Sequence, residues 1–416
     1  MVREWVPEAG GALEVGAEHA QFGLGVLGRS HTIPASLYCQ YYWHNCRFDA
    51  SFTSMIFEVD RNDIRSTRTV TSAPTTLESG QVRLRVDRFA VTSNNVSYAI
   101  SGDLLDYWRF FPTDAPWGRI PVIGIGVVVE SAHPDINVGR RYFGFYPMTD
   151  EHVVDAEPHG ERGFRDVAPH RANHAALYTD FADIDADPAF DVERIDEYLL
   201  LWGMFMTSFL IDDQLGERDF EGATRTIVTS ASSKTSISLA SCLANRTDVH
   251  AIGLTSARNR AFVEGLGLYD EVATYDEVAS LDSSMATGVV DMAGNAQLRA
   301  DIHHHYGDSL VFSVSVGATH WDQREADGAP LPGAKPEFFF APGQRAKREH
   351  DWGAAELDAR IDRAYRHLVE HSSGWLRVEH RYGPAGIDAT YADLLNGTAD
   401  PAAGFICLPA PSEPRT

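Results

Sequence analysis

The chain has 416 residues, 44% hydrophobic and 23% charged, which is a globular composition too long for one ordinary core, so two domains are expected. A formal charge of −24 excludes a nucleic-acid surface, which needs clustered Lys and Arg; the dispersed Asp and Glu serve solubility instead. With no apolar run long enough for a bilayer and no basic-then-apolar signal, the expectation is a cytoplasmic protein without membrane partners.

Residues 1–54 differ in character from the rest of the chain, with a glycine-rich start and an aromatic stretch holding Cys39 and Cys46. They read either as a functional extension or as translation from an upstream start, since Met55 opens a domain-like pattern. With Cys242 and Cys407 the thiols form no C-x-x-C pair, so zinc and redox pairs are not indicated and a reducing compartment fits. Residues 57–148 are β-rich. Val82 to Asp87 alternates with period two, and the run 121–129 carries two glycines, as in a bending barrel strand.

From about residue 192 the rhythm changes. Residues 195–215 form a helix apolar on most faces and therefore buried. Strand–helix pairs come next: 226–229 with 235–245, 249–255 with 257–266, and 271–274 with the segment after Tyr275. Then come 288–292 with 296–306, and a strand at 309–316 ending at Gly317. This alternation implies a doubly wound parallel sheet. The remainder holds a helix at 354–370, a strand at 375–379, a helix at 388–395, a turn at Asn396-Gly397 and a final apolar stretch at 404–408.

Thr226-Ile227-Val228-Thr229-Ser230-Ala231-Ser232-Ser233-Lys234-Thr235-Ser236 reads as a strand, a polar turn and a helix. In a nucleotide-binding βαβ unit that turn faces a pyrophosphate, and the end of the next strand faces the adenosine ribose. The second strand ends in Thr255-Ser256-Ala257-Arg258, and an arginine there suits the 2′-phosphate of NADP. The G-x-G-x-x-G fingerprint fails, because the turn has no glycine. Side-chain donors on Ser230, Ser232, Ser233, Lys234 and Thr235 substitute for bare main chain on one reading. On the other, the turn binds nothing. The run His303-His304-His305 is not a metal site, since consecutive helical residues diverge; it is expected to cap an exposed helix end.

Several motifs resemble medium-chain dehydrogenase/reductases. Gly80-Gln81-Val82-Arg83-Leu84-Arg85-Val86 resembles the "G-x-V-L-V-R-V" strand of their GroES-like domain, and Ala90 to Tyr98 is similar to the "G-V-N-x-x-D" loop of the quinone-reductase branch. Leu266 to Tyr275 resembles "L-G-A-D-x-V-I-D-Y", Val289 to Gly294 resembles "V-x-D-x-V-G-G", and Tyr391 to Gly397 resembles "A-x-x-x-L-x-x-G". Within that superfamily the chain is similar to a bacterial family of unknown function over about 55–410. The marks are Asn94-Asn95-Val96-Ser97-Tyr98, Gly102-Asp103, Tyr107-Trp108-Arg109-Phe110-Phe111-Pro112, Thr207-Ser208-Phe209-Leu210 and Ser232-Ser233-Lys234-Thr235.

The resemblance implies an α/β fold, a GroES-like β-barrel plus a Rossmann sheet. Its parts would be an extension (1–54), a GroES-like first part (55–190), a Rossmann domain (191–334) and a returning segment (335–416). It implies NADP(H), a small-molecule substrate, no metal, and a homodimer through the nucleotide-binding sheet. Thr255, Ser256 and Arg258 match 2′-phosphate ligands, Tyr275 an adenosine neighbour, Thr207 a nicotinamide neighbour, and Val314 and Gly317 the strand end beside that ring. Each has a plainer reading: Arg258 as a solvated helix start, Tyr275 as core, Thr207 as helical filler. Tyr98 is the candidate proton donor, and Asn94 or Asn95 would hold a carbonyl; a buried, satisfied Tyr98 is the alternative. Tyr107, Trp108 and Phe110 would line an apolar pocket or fill the barrel, and His170 or Arg171 would meet a substrate acid group. The implied function is a zinc-independent NADPH-dependent reductase of an activated C=C, quinone or related carbonyl compound. The alternative is an altered scaffold that binds a ligand or does non-redox chemistry.

Overall fold

The computed structural model describes residues 53–160, 163–186, 190–292, 294–316 and 330–409. The expected extension therefore lies, up to residue 52, outside the described residues, as does Gly317. The first half of the chain supplies β1 (Ser54–Asp60), β2 (Thr67–Ser72), β3 (Gln81–Val91), β4 (Trp117–Gly118), β5 (Pro121–Ser131), β6 (Arg141–Pro147), β7 (Glu151–Pro158), β8 (Gly163–Asp166) and β9 (Asp180–Asp183). Strands β3, β5, β6, β9, β8 and β7 pair in that order, and β7 returns to β3, closing a barrel. The alternation read in β3 is real: Val82, Leu84 and Val86 face the core, while Arg85 and Asp87 face water. On β5, a Cβ at Gly126 would lie 2.9 Å from the Tyr146 hydroxyl, so the missing side chain lets the strands close.

The segment after β3, expected as a loop, is instead a helix, α1 (Ser93–Ile100). Thr92 and Asn95 form a reciprocal capping box that fixes its start. A helical turn, α2 (Ala176–Thr179), precedes β9, and the long α3 (Ile195–Glu217) comes after it. Leu199, Leu200, Leu201, Phe205, Leu210 and Ile211 make α3 buried on most faces, as its composition implied.

The parallel sheet comprises β10 (Arg225–Val228), β11 (His250–Thr255), β12 (Glu271–Thr274), β13 (Thr287–Asp291), β14 (Leu310–Val316) and β15 (Pro336–Phe339). Its order is β12-β11-β10-β13-β14-β15 with every pairing parallel, the doubly wound arrangement. Crossovers run through α4 (Lys234–Leu243), α5 (Arg260–Gly265) and α6 (Ala296–Tyr306), whereas β12 leads only into a short 3-10 segment at Tyr275–Ser280.

The expected boundary at 335 is corrected. β15 is the sixth strand of this sheet, and α7 (Ala341–Trp352) and α8 (Ala354–Ser372) pack beside α3. The chain returns to the barrel only with β16 (Arg377–Tyr382), α9 (Gly383–Leu395) and β17 (Ala403–Leu408), whose last strand pairs antiparallel with β3. The histidine run is also corrected at its first member. His303 is fully buried, its Nδ1–H donating to the Pro332 carbonyl (2.8 Å) while Nε2 meets the Ser313 hydroxyl (3.0 Å). Burial pushes its pKa down and favours this neutral form. Among the described residues, no helix is long and apolar enough to cross a membrane.

Candidate active site

The order of the parallel strands reverses between β10 and β13, and ligands of such sheets bind beyond the carboxyl ends of the strands at that point. A cavity of about 230 Å3 lies there. Its sheet side is Ser233 and Thr235 at the start of α4, Met292 after β13 and Val316 at the end of β14. Its barrel side is Asn94, Tyr98, Tyr107 and Tyr178, and α3 contributes Trp202 and Thr207. A whole dinucleotide exceeds that volume; a single ring or a small substrate does not.

The barrel side is rich in aromatic rings. The Tyr98 and Tyr107 rings lie 4.3 Å apart between centroids, and Tyr107 meets Tyr178 edge-on at 6.3 Å. Asn94 stands near the Tyr98 hydroxyl, and the Tyr107 and Tyr178 phenols stand near each other. Burial pushes all three phenols above the ordinary tyrosine range, so they stay protonated at neutral pH. Asn95 also lines the cavity, but its Oδ1 accepts from the Thr92 N–H (2.7 Å) and its Nδ2 donates to the Pro121 carbonyl (2.9 Å), so most of its amide goes to capping α1 and tying it to β5.

The glycine-free turn keeps a glycine-like backbone at its first position, where Ser230 sits at φ 50°. Two of the side chains expected to cradle a diphosphate, those of Ser233 and Lys234, are engaged elsewhere, while the Ser232 hydroxyl accepts one bond and keeps its own proton to give. The Ser232 hydroxyl accepts from Asn259 Nδ2 (2.9 Å), Ser233 caps α4 by accepting from the Ser236 N–H (3.2 Å), and Lys234 Nζ donates to the Ala403 carbonyl (2.6 Å). Burial lowers the Lys234 pKa to about 8. That withdraws Ser233 and Lys234 from the expected side-chain cradle. Main chain is also open to an anion, because first-turn N–H groups such as those of Lys234 and Thr235 have no acceptor within a helix.

At the end of β11, Thr255 is fully buried with its hydroxyl unpartnered, Ser256 is half-buried, and Arg258 is exposed, its guanidinium donating to the Ala399 carbonyl (3.1 Å) and to Asn259 Oδ1 (3.5 Å). Tyr275 hydrogen-bonds to Ser230 beneath the turn. Thr207 lines the cavity while its hydroxyl bonds back to the Gly203 carbonyl (3.1 Å). Val314 is buried in the core. Thus the geometry brings Tyr98, Asn94, Asn95, Ser233, Thr235 and Thr207 to one cavity and leaves Ser230, Ser232, Lys234, Thr255, Ser256, Arg258 and Tyr275 outside its lining.

Arg171 does not meet a substrate. It is 1% exposed, 3.6 Å from the Asp166 carboxylate, and its guanidinium donates to the carbonyls of Phe110 and Tyr178. It braces the segment that carries Tyr178. Trp108 and Phe110 are core, whereas Tyr107 lines the cavity. Sequence reasoning missed Tyr178, Trp202 and Met292. Tyr178 sits in the single helical turn α2 with no motif, and Trp202 lies in a helix whose apolar residues cover most faces.

The fold is that of the medium-chain dehydrogenase/reductases, a barrel joined to a doubly wound sheet. The chain belongs to the family described as "Protein of unknown function (DUF2855)", whose model matches residues 89–400. The chain is similar to the crystal structure of CurA from Vibrio vulnificus, also solved with NADPH: 12% identity, TM-score 0.55, covering 87% of this chain and 100% of that one. It is similar to the quinone oxidoreductase from Coxiella burnetii at 12% identity and TM-score 0.53, covering 86% of this chain and 99% of that one. Mycobacterial Rv1454c complexed with NADPH shares 16% identity at TM-score 0.51, covering 86% of this chain and 100% of that one. No curated protein matches the chain.

Proposed function

We propose that this protein is a zinc-independent, NADPH-dependent reductase of an activated C=C, quinone or related carbonyl compound. The observation that carries the reading is the cavity at the switch point, with the first turn of α4 on one wall and protonated tyrosines on the other. NADPH bound there supplies a hydride. Thr207, Thr235, Met292 and Val316 would hold the nicotinamide end. The diphosphate falls to the main-chain N–H groups at the start of α4, and Arg258 reads the 2′-phosphate. Negative charge developing on the substrate oxygen is met by the Tyr98 hydroxyl, which Asn94 orients and which gives up its proton. The described lining offers Ser, Thr, Asn and Tyr oxygens but no His, Cys, Asp or Glu, a poor donor set for zinc.

The test is thermal unfolding with each dinucleotide. At a hundredfold excess over Kd, NADPH adds about 2.7 kcal/mol of stability and raises Tm. Arg258→Ala weakens NADPH roughly tenfold or more, the worth of a charged hydrogen bond, and leaves NADH unchanged. Equal losses for both would remove Arg258 from the 2′-phosphate. The scaffold reading has one observation in its favour, the internal engagement of Ser232, Ser233 and Lys234. No Tm shift with either dinucleotide would decide for it.

A further inference from the structure

We propose that the loop between α9 and β17 is a strap along the mouth of the nucleotide cleft, and that it selects the phosphorylated dinucleotide by holding the Arg258 guanidinium in place. The selection rests on the reductase reading, whereas the strap itself stands on bonds that need no cofactor. Lys234, at the start of α4 and following β10, donates from Nζ to the Ala403 carbonyl at 2.6 Å. Arg258, following β11, donates from Nη2 to the Ala399 carbonyl at 3.1 Å. Strands β10 and β11 are parallel neighbours, so the two cations mark the carboxyl ends of adjacent strands. A loop of the barrel is thereby tied to both strand ends, along the edge where the adenosine half of a dinucleotide lies in a βαβ unit.

Asp400 orders the strap from within. Its Oδ1 accepts from the Ala402 N–H (2.9 Å), its main-chain carbonyl from the Ala403 N–H (2.9 Å), and its Oδ2 from Arg377 Nη2 (3.0 Å). Arg258 is held from a second side, Nε donating to Asn259 Oδ1 (3.5 Å), while Asn259 Nδ2 donates to the Ser232 hydroxyl of the glycine-free turn (2.9 Å). These two contacts use one proton on Nε and one on Nη2, and the rest of the guanidinium fork remains for a bidentate phosphate contact. A free surface arginine must give up its rotamer freedom to make such a contact; one already fixed by a main-chain carbonyl has less to lose. A dinucleotide without the 2′-phosphate makes no contact of this kind and draws nothing from the strap.

The test combines hydrogen–deuterium exchange of residues 396–404 without cofactor and titration calorimetry of the full chain with NADPH and with NADH. Asp400→Ala leaves both tying cations intact and removes the acceptor that holds Ala402; Asp400 is exposed, so the substitution does not enter the core. Expected are faster exchange of the loop and an NADPH affinity lowered about two- to tenfold, the worth of ordering one long side chain, with NADH unchanged. Asp400→Asn keeps an oxygen for the Ala402 N–H and restores both readouts. Charge alone predicts the reverse, because removing a carboxylate near a phosphate strengthens binding, and does so equally in the Ala and Asn variants. Lys234→Met and Arg258→Ala each speed exchange of the loop as well. Unaltered exchange in these two variants would overturn the strap, as would an NADPH affinity that stays or rises in Asp400→Ala. A wild type that prefers NADPH, with the preference kept in Asp400→Ala, sinks the strap alone. A wild type that binds neither dinucleotide sinks the reductase reading and takes the selection with it.

Discussion

Lys234 shows how a single residue carries two consequences of one contact. Its Nζ lies 2.6 Å from the Ala403 carbonyl, and burial there brings its pKa down to about 8 from 10.5. Between those values the unfolded chain holds a proton that the folded chain has released, so stability rises with pH across that window. Below about pH 8 both states are protonated and the burial penalty is fully present. The difference in Tm between wild type and Lys234→Met is thus expected to shift in favour of wild type from pH 7.5 to pH 10. A flat difference would mean that Lys234 titrates normally. Arg171 is the second residue whose environment predicts a measurable effect. Removing it leaves Asp166, 4% exposed, as an uncompensated buried carboxylate. Arg171→Met is expected to cost about 3–5 kcal/mol in denaturant unfolding, part of it recovered by adding Asp166→Asn. No recovery would mean that the lost carbonyl contacts, not the charge, dominate.

Among the elements, the stretch from Gly102 to Phe111 explains its own composition. The Trp108 indole fills the space where a Cβ on Gly102 or Gly118 would stand, at 2.1 Å and 2.5 Å. Both glycines are therefore clearances for one buried tryptophan that seats the neighbouring Tyr107. Gly102→Ala is expected to lower stability by about 1–3 kcal/mol through overpacking and to change the near-UV dichroism of Trp108. An unchanged spectrum would show that the ring is not held there. The elements that escaped the sequence did so for physical reasons. The α1 cap uses Asn95 where the usual pattern has Glu or Gln, so its start signal was weak. The α7 helix carries almost no apolar face; Arg348 and Gln344 hold it to Asp213 of α3 at 2.5 Å and 2.8 Å. Hydrophobic periodicity cannot reveal a helix docked by charge.

For the whole molecule, α3 joins the two sheets. One apolar cluster contains Ala90, Ile125 and Ile406 of the barrel, Leu200 and Phe205 of α3, and Val228 and Val290 of the parallel sheet. The described residues from Thr53 onward also form one compact unit by their contacts. The two sheets are consequently expected to unfold together, with far-UV dichroism and tryptophan fluorescence reporting coincident midpoints despite the chain's length. Leu200→Ala should lower that common midpoint by about 2–5 kcal/mol in stability; two separated transitions would break the shared-core account.

The sequence by itself determined the architecture and where its cleft lies. Strand and helix periods are local properties, and the turn at 229–236, the strand end at 255 and the buried helix at 195–215 could all be read from neighbours along the chain. It also supplied Tyr98, Asn94, Thr207 and Thr235 to the cavity. Only the tertiary structure decided which polar side chains are free. Lys234 is taken by a carbonyl 169 positions away, Asn95 by Pro121, and Tyr178 is set beside Tyr107 from a segment far along the chain. Such commitments depend on which distant atoms meet across a closed barrel and a shared core, and no local pattern of residues encodes them.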